Sequence, residues 1–370
     1  MAQEKPRNAR WSSTEMVPAV PVKGRAVLVI HGGAGKLIRD RYPEELQEKY
    51  HAVLKMALLA GHAVLASGGC ALDAVEATIT VLEDSPLFNA GKGAVYTKDK
   101  KVELDASIMV SHPSAAGDPE GDPSRRTTAV TLLKHVKNPI TLAKRLYLAR
   151  GESSHVLHAA PYAEQLAEKW GCEMMEESYF HTAARDRQYD EIQETHIEDN
   201  SGIGEYDAKG TVGAVALDVN GYMAVGTSTG GRAGKLPGRV GDTPVPGAGY
   251  WCEQFTVQKK SLLQKVFPFF GSSNTATMGV SGTGNGDFYL RYGVCHDIYA
   301  RMKYKGDTLE QASKDVLAEL GQAGGEGGVI GLTGDGEIIM GMNCSGMFRG
   351  WIDLSEGKPR VGIFSDDIVR

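Results

Sequence analysis

GTVGAVALD occupies residues 210–218, and VNGYMAVGTST follows over 219–229. Two strand-like runs, Thr211–Val219 and Tyr222–Ser228, flank Asn220-Gly221. An Asn-Gly pair between such runs predicts a tight β-hairpin, because both residues accept the positive φ that a two-residue turn needs. Upstream the chain changes character. From Arg185 to Lys209 it carries eight acidic and three basic residues and few large apolar ones. That composition buries too little surface to order itself, and residues 185–210 read as a flexible linker. Thr211 therefore opens a buried strand where a polar linker ends. Taken alone, such a threonine is a β-branched filler. A backbone cut before it would change that, because one residue would then hold a hydroxyl and a free α-amine. With a reference pKa of ~7.7–8.0, that amine can take the hydroxyl's proton. Gly210 would let the backbone bend for the cut.

Outward from the hairpin, the pattern alternates helix and strand on both sides. Ala26–Ile30 is a continuous apolar run of strand length, ended by His31-Gly32-Gly33-Ala34-Gly35. Helical spacing covers Pro43–Ala66, with Leu46, Tyr50, Val53, Leu54, Ala57 and Leu58 on one side, and then Ala71–Leu82. Strands are expected at Ala94–Thr97, Val102–Val110 and Ala129–Leu133, with a loop over Ser111–Arg126. Helices are expected at Ile140–Leu148 and Pro161–Trp170. Beyond the hairpin come strands at Ser272–Val280 and Val329–Leu332, helices at Phe288–Met302 and Thr308–Leu320, and a strand pair at Glu337–Met342 and Met347–Leu354. The alternation predicts an α+β architecture with packed sheets.

The 370 residues include 46 glycines, well above the usual ~7%, with no Gly-X-Y period, which places the excess in turns and close backbone approaches. A net charge of −6 disfavours a nucleic acid or an anionic membrane as partner. No apolar run approaches the ~20 residues of a membrane span. The N-terminal segment lacks an apolar signal region, which points to a cytoplasmic protein. Five scattered cysteines without a Cys-x-x-Cys spacing read as free thiols. The glycine-rich GQAGGEGGVIG (321–331) lacks the Gly-Lys-Ser/Thr ending of a phosphate loop.

Seven segments together resemble the plant-type L-asparaginase/isoaspartyl aminopeptidase family of N-terminal-nucleophile hydrolases. They are VLVIHGGAG (27–35), SGGCALDAVEA (67–77), SPLFNAGKGAVYT (85–97), ELDASIMV (103–110), GTVGAVALD (210–218), STGGRAGKLPGRVGDTPVPGAGYW (228–251) and SGTGNGD (281–287). The resemblance implies a four-layer αββα sandwich and a precursor that cuts itself between Gly210 and Thr211. Residues 1–25 would be a flexible arm, 26–210 the α chain and 211–370 the β chain of one domain. Two αβ units would pair into a dimer. The implied activity is hydrolysis of L-asparagine and of β-aspartyl dipeptides, small-molecule substrates handled without a catalytic cofactor.

Residue by residue, the resemblance makes Thr211 the nucleophile and Thr229 the threonine whose hydroxyl tunes it. Thr283 and Gly284 match an oxyanion-hole pair, where losing one donor costs ~2.7–4 kcal/mol. Arg239 would grip the substrate's α-carboxylate in fork geometry, and Asp242 would take its α-ammonium. Gly286 matches a substrate-contacting backbone position, and Asn89 lines the nucleophile pocket. Main-chain carbonyls of Leu82, Glu83, Ser85, Phe88, Ala90 and Lys92 match those that wrap a structural sodium ion in relatives. His31 reads as a turn residue near the site, and Glu103 and Asp105 as structural carboxylates.

Three departures stand out. The Trp251–Thr277 link is longer than usual and carries Phe267, Phe269 and Phe270. Gly282 precedes Thr283 where a bulkier residue is common. Thr283-Gly284-Asn285-Gly286-Asp287 resembles the glycosylasparaginase branch, while HGGAG and PLFNAGKG resemble the asparaginase branch. A glycosylasparaginase-like amidase, a taspase-like endopeptidase and a non-cleaving binding protein are the alternative readings.

Overall fold

The structure, a computed structural model, describes residues 24–149, 151–195, 210–257 and 275–369. Arg25, the last residue of the expected arm, is already held by an ion pair with Asp353 at 2.7 Å; the rest of the arm, up to residue 23, lies outside the described residues.

Most strands of the larger sheet read as continuous apolar runs because both of their faces are covered. In β1 (Val27–Gly35), Leu28 and Ile30 point to one core while Val27 and Val29 point to another. The same two-residue alternation divides β5 (Val212–Leu217): Val212, Ala214 and Ala216 go to the first core, Val215 and Leu217 to the second. With β2 (Leu104–Val110), β3 (Thr127–Leu133), β4 (Leu157–Ala159), β6 (Met223–Thr229), β11 (Gly346–Asp353) and β12 (Arg360–Phe364), the order is β12-β11-β1-β5-β6-β2-β3-β4. A second sheet runs β10-β9-β8-β7, from Ile338–Met342, Gly327–Thr333, Thr275–Gly284 and Tyr250–Thr256.

The first core lies between the larger sheet and helices α1 (Glu44–Ala66), α2 (Ala71–Asp84) and α3 (Pro139–Leu148). The second lies where the two sheets meet, β5 and β6 against β8 and β1 against β9. The third packs the smaller sheet against α7 (Val294–Ala300) and α8 (Leu309–Gln322). The protein is thus α+β, and each of the three cores separates two layers of secondary structure. All five cysteines are free thiols, and no helix among the described residues is long and apolar enough to cross a membrane.

The predicted hairpin is present, but not through a two-residue turn: the Gly221 N–H donates to the Asp218 carbonyl at 3.0 Å, the Asp218 N–H to that of Tyr222 at 2.9 Å, and of Asn220 and Gly221 only Gly221 has a positive φ, +83°. Asp218 also holds the next helix. Its Oδ1 accepts the N–H groups of Asn220 (2.9 Å) and Tyr222 (3.1 Å), and its Oδ2 accepts that of Ala71 (3.3 Å) at the start of α2. A carboxylate there answers the unpaired donors and positive dipole end of the helix.

Four sequence expectations need correction. The acidic linker begins as a helix, α5 (Ala183–Thr195), after the short α4 (Tyr162–Lys169). Its inward face is Arg185, Gln188 and Ile192, all buried; polar residues at two of these positions erase the hydropathy signal. Arg185 Nε donates to the Gly93 carbonyl at 2.7 Å, and Tyr189 Oη to that of Lys98 at 3.0 Å. Residues 196–209 of the expected linker, and 258–274 of the long link with its three phenylalanines, lie outside the described residues. Ala94–Thr97 is not a strand: it follows a 3₁₀ turn at Gly91–Gly93 and makes a single bridge, Thr97 to Lys235. The expected helix Phe288–Met302 is broken at Gly293, giving α6 (Gly286–Tyr292) and α7. His31 to Gly35 continue β1 through a bulge rather than ending it.

An aromatic cluster fixes the loop after α2. Phe348 on β11 stacks on Tyr50 of α1 at 4.3 Å between ring centroids and meets Phe88 edge-on at 5.9 Å. Phe88 immediately precedes Asn89. Truncating a buried ring costs ~3–5 kcal/mol. Phe348→Ala is expected to lower the unfolding free energy by about that amount, read from the midpoint of a urea titration.

Candidate active site

Thr211 directly precedes β5 and is buried. The β5–β6 register pairs Val212 with Ser228, which sets Thr211 across from Thr229. The other sheet reaches the same place through β8: in the uncut chain the Thr211 N–H donates to Thr283 Oγ1 at 3.0 Å. One threonine from each sheet thus meets at the Gly210–Thr211 bond. Gly210 has φ +109°, and a Cβ there would collide with Thr283 Oγ1 and with the β1 bulge at Gly33 and Ala34. No other residue type fits that conformation and that gap.

The Thr211 hydroxyl has a partner that the sequence does not announce. Its Oγ1 lies 3.1 Å from Thr243 Oγ1, whereas Thr229 Oγ1 accepts the Gly231 N–H at 3.0 Å. Thr243 follows Asp242 and is held from below: its carbonyl accepts Ser107 Oγ at 2.7 Å and Thr227 Oγ1 at 3.3 Å. Adjacency to Asp242 is the one signal that might have been used to find it. Asn89 spends its amide on backbone, donating from Nδ2 to the Gly231 carbonyl at 2.7 Å and accepting the Val95 N–H on Oδ1 at 3.0 Å. It clips the loop after α2 to the turn that follows Thr229.

Arg239 and Asp242 converge on Gly286. A Cβ on Gly286 would run into Asp242 Oδ1 and stand 3.2 Å from Arg239 Nη2. Asp242 is buried, its Oδ2 has no hydrogen-bond partner, and burial pushes its carboxyl up to about 6. An orphaned buried acceptor beside a guanidinium suits a ligand that presents a cation next to an anion. Gly284 has φ +144° and lies against Glu326 and Gly327, where a side chain would clash. Gly282, before Thr283, is covered by the Tyr289 ring, whose Oη donates to the Thr283 carbonyl at 3.0 Å.

Glu103 and Asp105 support the site from beneath. Both Glu103 oxygens accept the Gly238 N–H, at 3.0 and 3.1 Å, one residue before Arg239. Buried Lys235 donates to the Glu103 carbonyl at 2.8 Å. Burial raises the Asp105 carboxyl and lowers the Lys235 ammonium, while each one's charge holds the other toward its ionised form.

Of the six residues expected around a sodium ion, five are buried and Lys92 is half-buried. Leu82 and Glu83 end α2, and Ser85, Phe88, Ala90 and Lys92 follow. The Leu82 carbonyl accepts the Ser85 N–H at 3.3 Å and the Ala90 carbonyl that of Gly93 at 3.1 Å. Among the described residues no group of three His, Cys, Asp or Glu side chains could hold a metal.

A family model described as asparaginase matches residues 24–258 and 268–362. An isoaspartyl peptidase of Escherichia coli K12 is 36% identical over 351 residues, 93% of this chain and 97% of that protein. A probable isoaspartyl peptidase/L-asparaginase 2 of Arabidopsis thaliana is 34% identical, over 88% and 95%. An isoaspartyl peptidase/L-asparaginase of Xenopus laevis is 32% identical, over 92% and 96%.

His31, on β1 opposite Gly213, is wholly buried with Nε2 2.7 Å from Ser281 Oγ of β8. Burial lowers its pKa to about 3, against a weaker opposite pull from the Thr211 backbone. The unfolded chain takes up this proton near pH 6.5, the native protein only near 3. Stability gained from a neutral His31 is therefore complete above pH 6.5 and is lost as pH falls toward 3. Urea titrations at pH 7.5 and 4.5 should show a larger loss for the wild-type protein than for His31→Gln.

Proposed function

The chain belongs to the asparaginase family, and we propose that it is a self-cleaving amidohydrolase acting on L-asparagine and on β-aspartyl dipeptides. The observation that carries this reading is the Thr211–Thr283 contact at the Gly210–Thr211 bond. In the uncut chain Thr211 Oγ1 would attack the Gly210 carbonyl carbon, forming an ester and releasing the Thr211 nitrogen as an amine. Water then hydrolyses the ester, leaving a Gly210 carboxylate and a free Thr211. The new amine takes the hydroxyl's proton when Thr211 attacks a substrate's β-amide. The Thr283 hydroxyl, no longer fixed on a peptide N–H, joins the Gly284 N–H in facing the oxyanion. Thr243 Oγ1, 3.1 Å from Thr211 Oγ1, orients the nucleophile's hydroxyl, and Thr229 stands across the strand pair from it.

Substrate choice follows from the head-group residues. Arg239 takes the α-carboxylate and Asp242 the α-ammonium, so both groups must be free and the scissile bond must lie on the β-carboxyl. β-Asp-Leu meets that demand; α-Asp-Leu does not, because its α-carboxyl is the peptide bond. Residues 26–210 form the α chain and 211–370 the β chain, together a four-layer αββα sandwich. The three cores between successive layers support that architecture. Two such units pair into a symmetric dimer, the commonest assembly. The carbonyls of Leu82, Glu83, Ser85, Phe88, Ala90 and Lys92 hold a structural sodium ion. In support, a Cβ on Gly93 would stand 2.8 Å from the Pro86 carbonyl, so backbone oxygens line this turn where a side chain has no room.

On a denaturing gel the purified protein should give chains of 210 and 160 residues. Thr211→Ala should give one uncut chain with no hydrolysis. A stable full-length band with full amidase activity would refute the reading. Arg239→Ala should still cut itself yet lose most of kcat/KM, and leucine release from α-Asp-Leu should be ~10⁴-fold or more below that from the β isomer.

Asp242 must be ionised to receive an ammonium. With its pKa raised to about 6, kcat/KM should rise with pH through that value. Because the Thr211 amine must also lose a proton, at higher pH, the slope of log kcat/KM should fall from two to one across that value, and a single slope from pH 5 to 7 would remove Asp242 from this role.

A further inference from the structure

A third charged group borders Gly286. Asp287 brings Oδ1 to 3.1 Å from Arg239 Nη2. Its side chain keeps 39% of its surface exposed, against 20% for Arg239, so it meets the guanidinium from the solvent side. Asp242 meets the same place from within, buried and with Oδ2 unpartnered. The loop beneath Arg239 is fixed to Glu103 through Gly238 and Lys235. That anchoring stops at the backbone, and the long arginine side chain still has rotamer freedom to lose. A guanidinium carries five N–H donors in one plane. One contact through Nη2 restrains the plane and leaves donors for a carboxylate.

We propose that Asp287 is a specificity-determining residue of the substrate-head site, one that positions Arg239 and, together with Asp242, selects heads bearing an α-ammonium. This rests on the head-group reading above. Of the three charged groups that border Gly286, two are carboxylates and one is a guanidinium, an excess of one carboxylate; Glu103, Asp105 and Lys235 beneath them are a background that a change at Asp287 leaves in place. A zwitterionic head adds no net charge, and its ammonium meets two carboxylates. A head with the same α-carboxylate but no ammonium adds a second negative charge and is repelled. Asp242 alone, balanced by Arg239, would leave no carboxylate in excess at that border and weaker discrimination. The exposure of Asp287 means that solvent screens its share, and an effect of about threefold to fivefold per ligand is expected.

The test is calorimetric binding of L-aspartate and of succinate, which lacks only the amine, to the mature wild-type protein, Asp287→Asn and Asp287→Glu at low salt. Wild-type protein is expected to favour L-aspartate. Asp287→Asn should weaken L-aspartate about threefold to fivefold and strengthen succinate, narrowing the ratio; Asp287→Glu should restore most of it. An unchanged ratio in Asp287→Asn overturns the proposal while leaving the head-group reading intact. Tighter L-aspartate binding in Asp287→Asn also overturns it, and would make Asp287 a competitor for Arg239. Failure of the wild-type protein to bind L-aspartate overturns both.

Discussion

The short contact between Thr211 and Thr283 joins two sheets whose interface is mostly apolar side chains. Thr211 belongs to the edge of a strand pair in the larger sheet, and Thr283 stands near the end of β8 in the smaller one. The contact would be lost if either strand slipped by one residue within its sheet, because a slip of one moves every side chain to the opposite face. Register is pinned on both sides by that alternation: Val215 and Leu217 in β5, Met278 and Val280 in β8, all buried. His31, on β1 opposite Gly213, and Ser281, two residues before Thr283 on β8, add a second polar link across the same gap. The chemistry therefore depends on the packing of the second and third cores together, not on a local loop.

Buried charge is handled differently at different depths. Glu83, closed off behind β6, is pushed up to about 8 and so stands neutral near pH 7, accepting the Ile140 N–H at 3.1 Å. Asp105 and Lys235 sit nearer the site as partners. Asp242 combines deep burial, an unpartnered oxygen and a guanidinium that borders the same glycine; Asp105 is as deeply buried with an unpartnered oxygen of its own, but the Lys235 ammonium answers its charge. That graded arrangement is what sets a binding carboxylate apart from structural ones, since strongly perturbed groups gather at functional sites but ion-pair networks perturb pKa values as well.

Much of this was legible in the sequence, for physical reasons that differ by element. The hairpin was, since Asn-Gly leaves few alternatives. So were β1, α1 and α2, whose periodicities are long and uninterrupted. What escaped was structure built on polar contacts. Helix α5 buries Arg185 and Gln188, and a buried guanidinium hydrogen-bonded to a carbonyl looks like surface to any hydropathy count. The break at Gly293 escaped because one glycine in a helical pattern is often tolerated. At the site, Thr211, Thr283, Arg239 and Asp242 stood in motifs. Thr243 did not distinguish itself from its neighbours, because a hydroxyl's partner is decided by the sheet register and by rotamers, which only the fold supplies.

Strand order in the larger sheet has a consequence for the life of the mature protein. Counting from one edge, β12 and β11 come from beyond Thr211, β1 from before it, β5 and β6 from beyond, and β2, β3 and β4 from before. A cut at Gly210–Thr211 would leave two polypeptides interdigitated within a single hydrogen-bonded sheet, with the first and second cores shared between them. Before the cut, folding is a unimolecular search; after it, regaining the fold is a second-order encounter between two fragments that expose apolar edges. Denaturation would then be easy to reach and hard to reverse, with recovery falling on dilution. Endurance of the mature molecule is accordingly set by its unfolding rate rather than by an equilibrium.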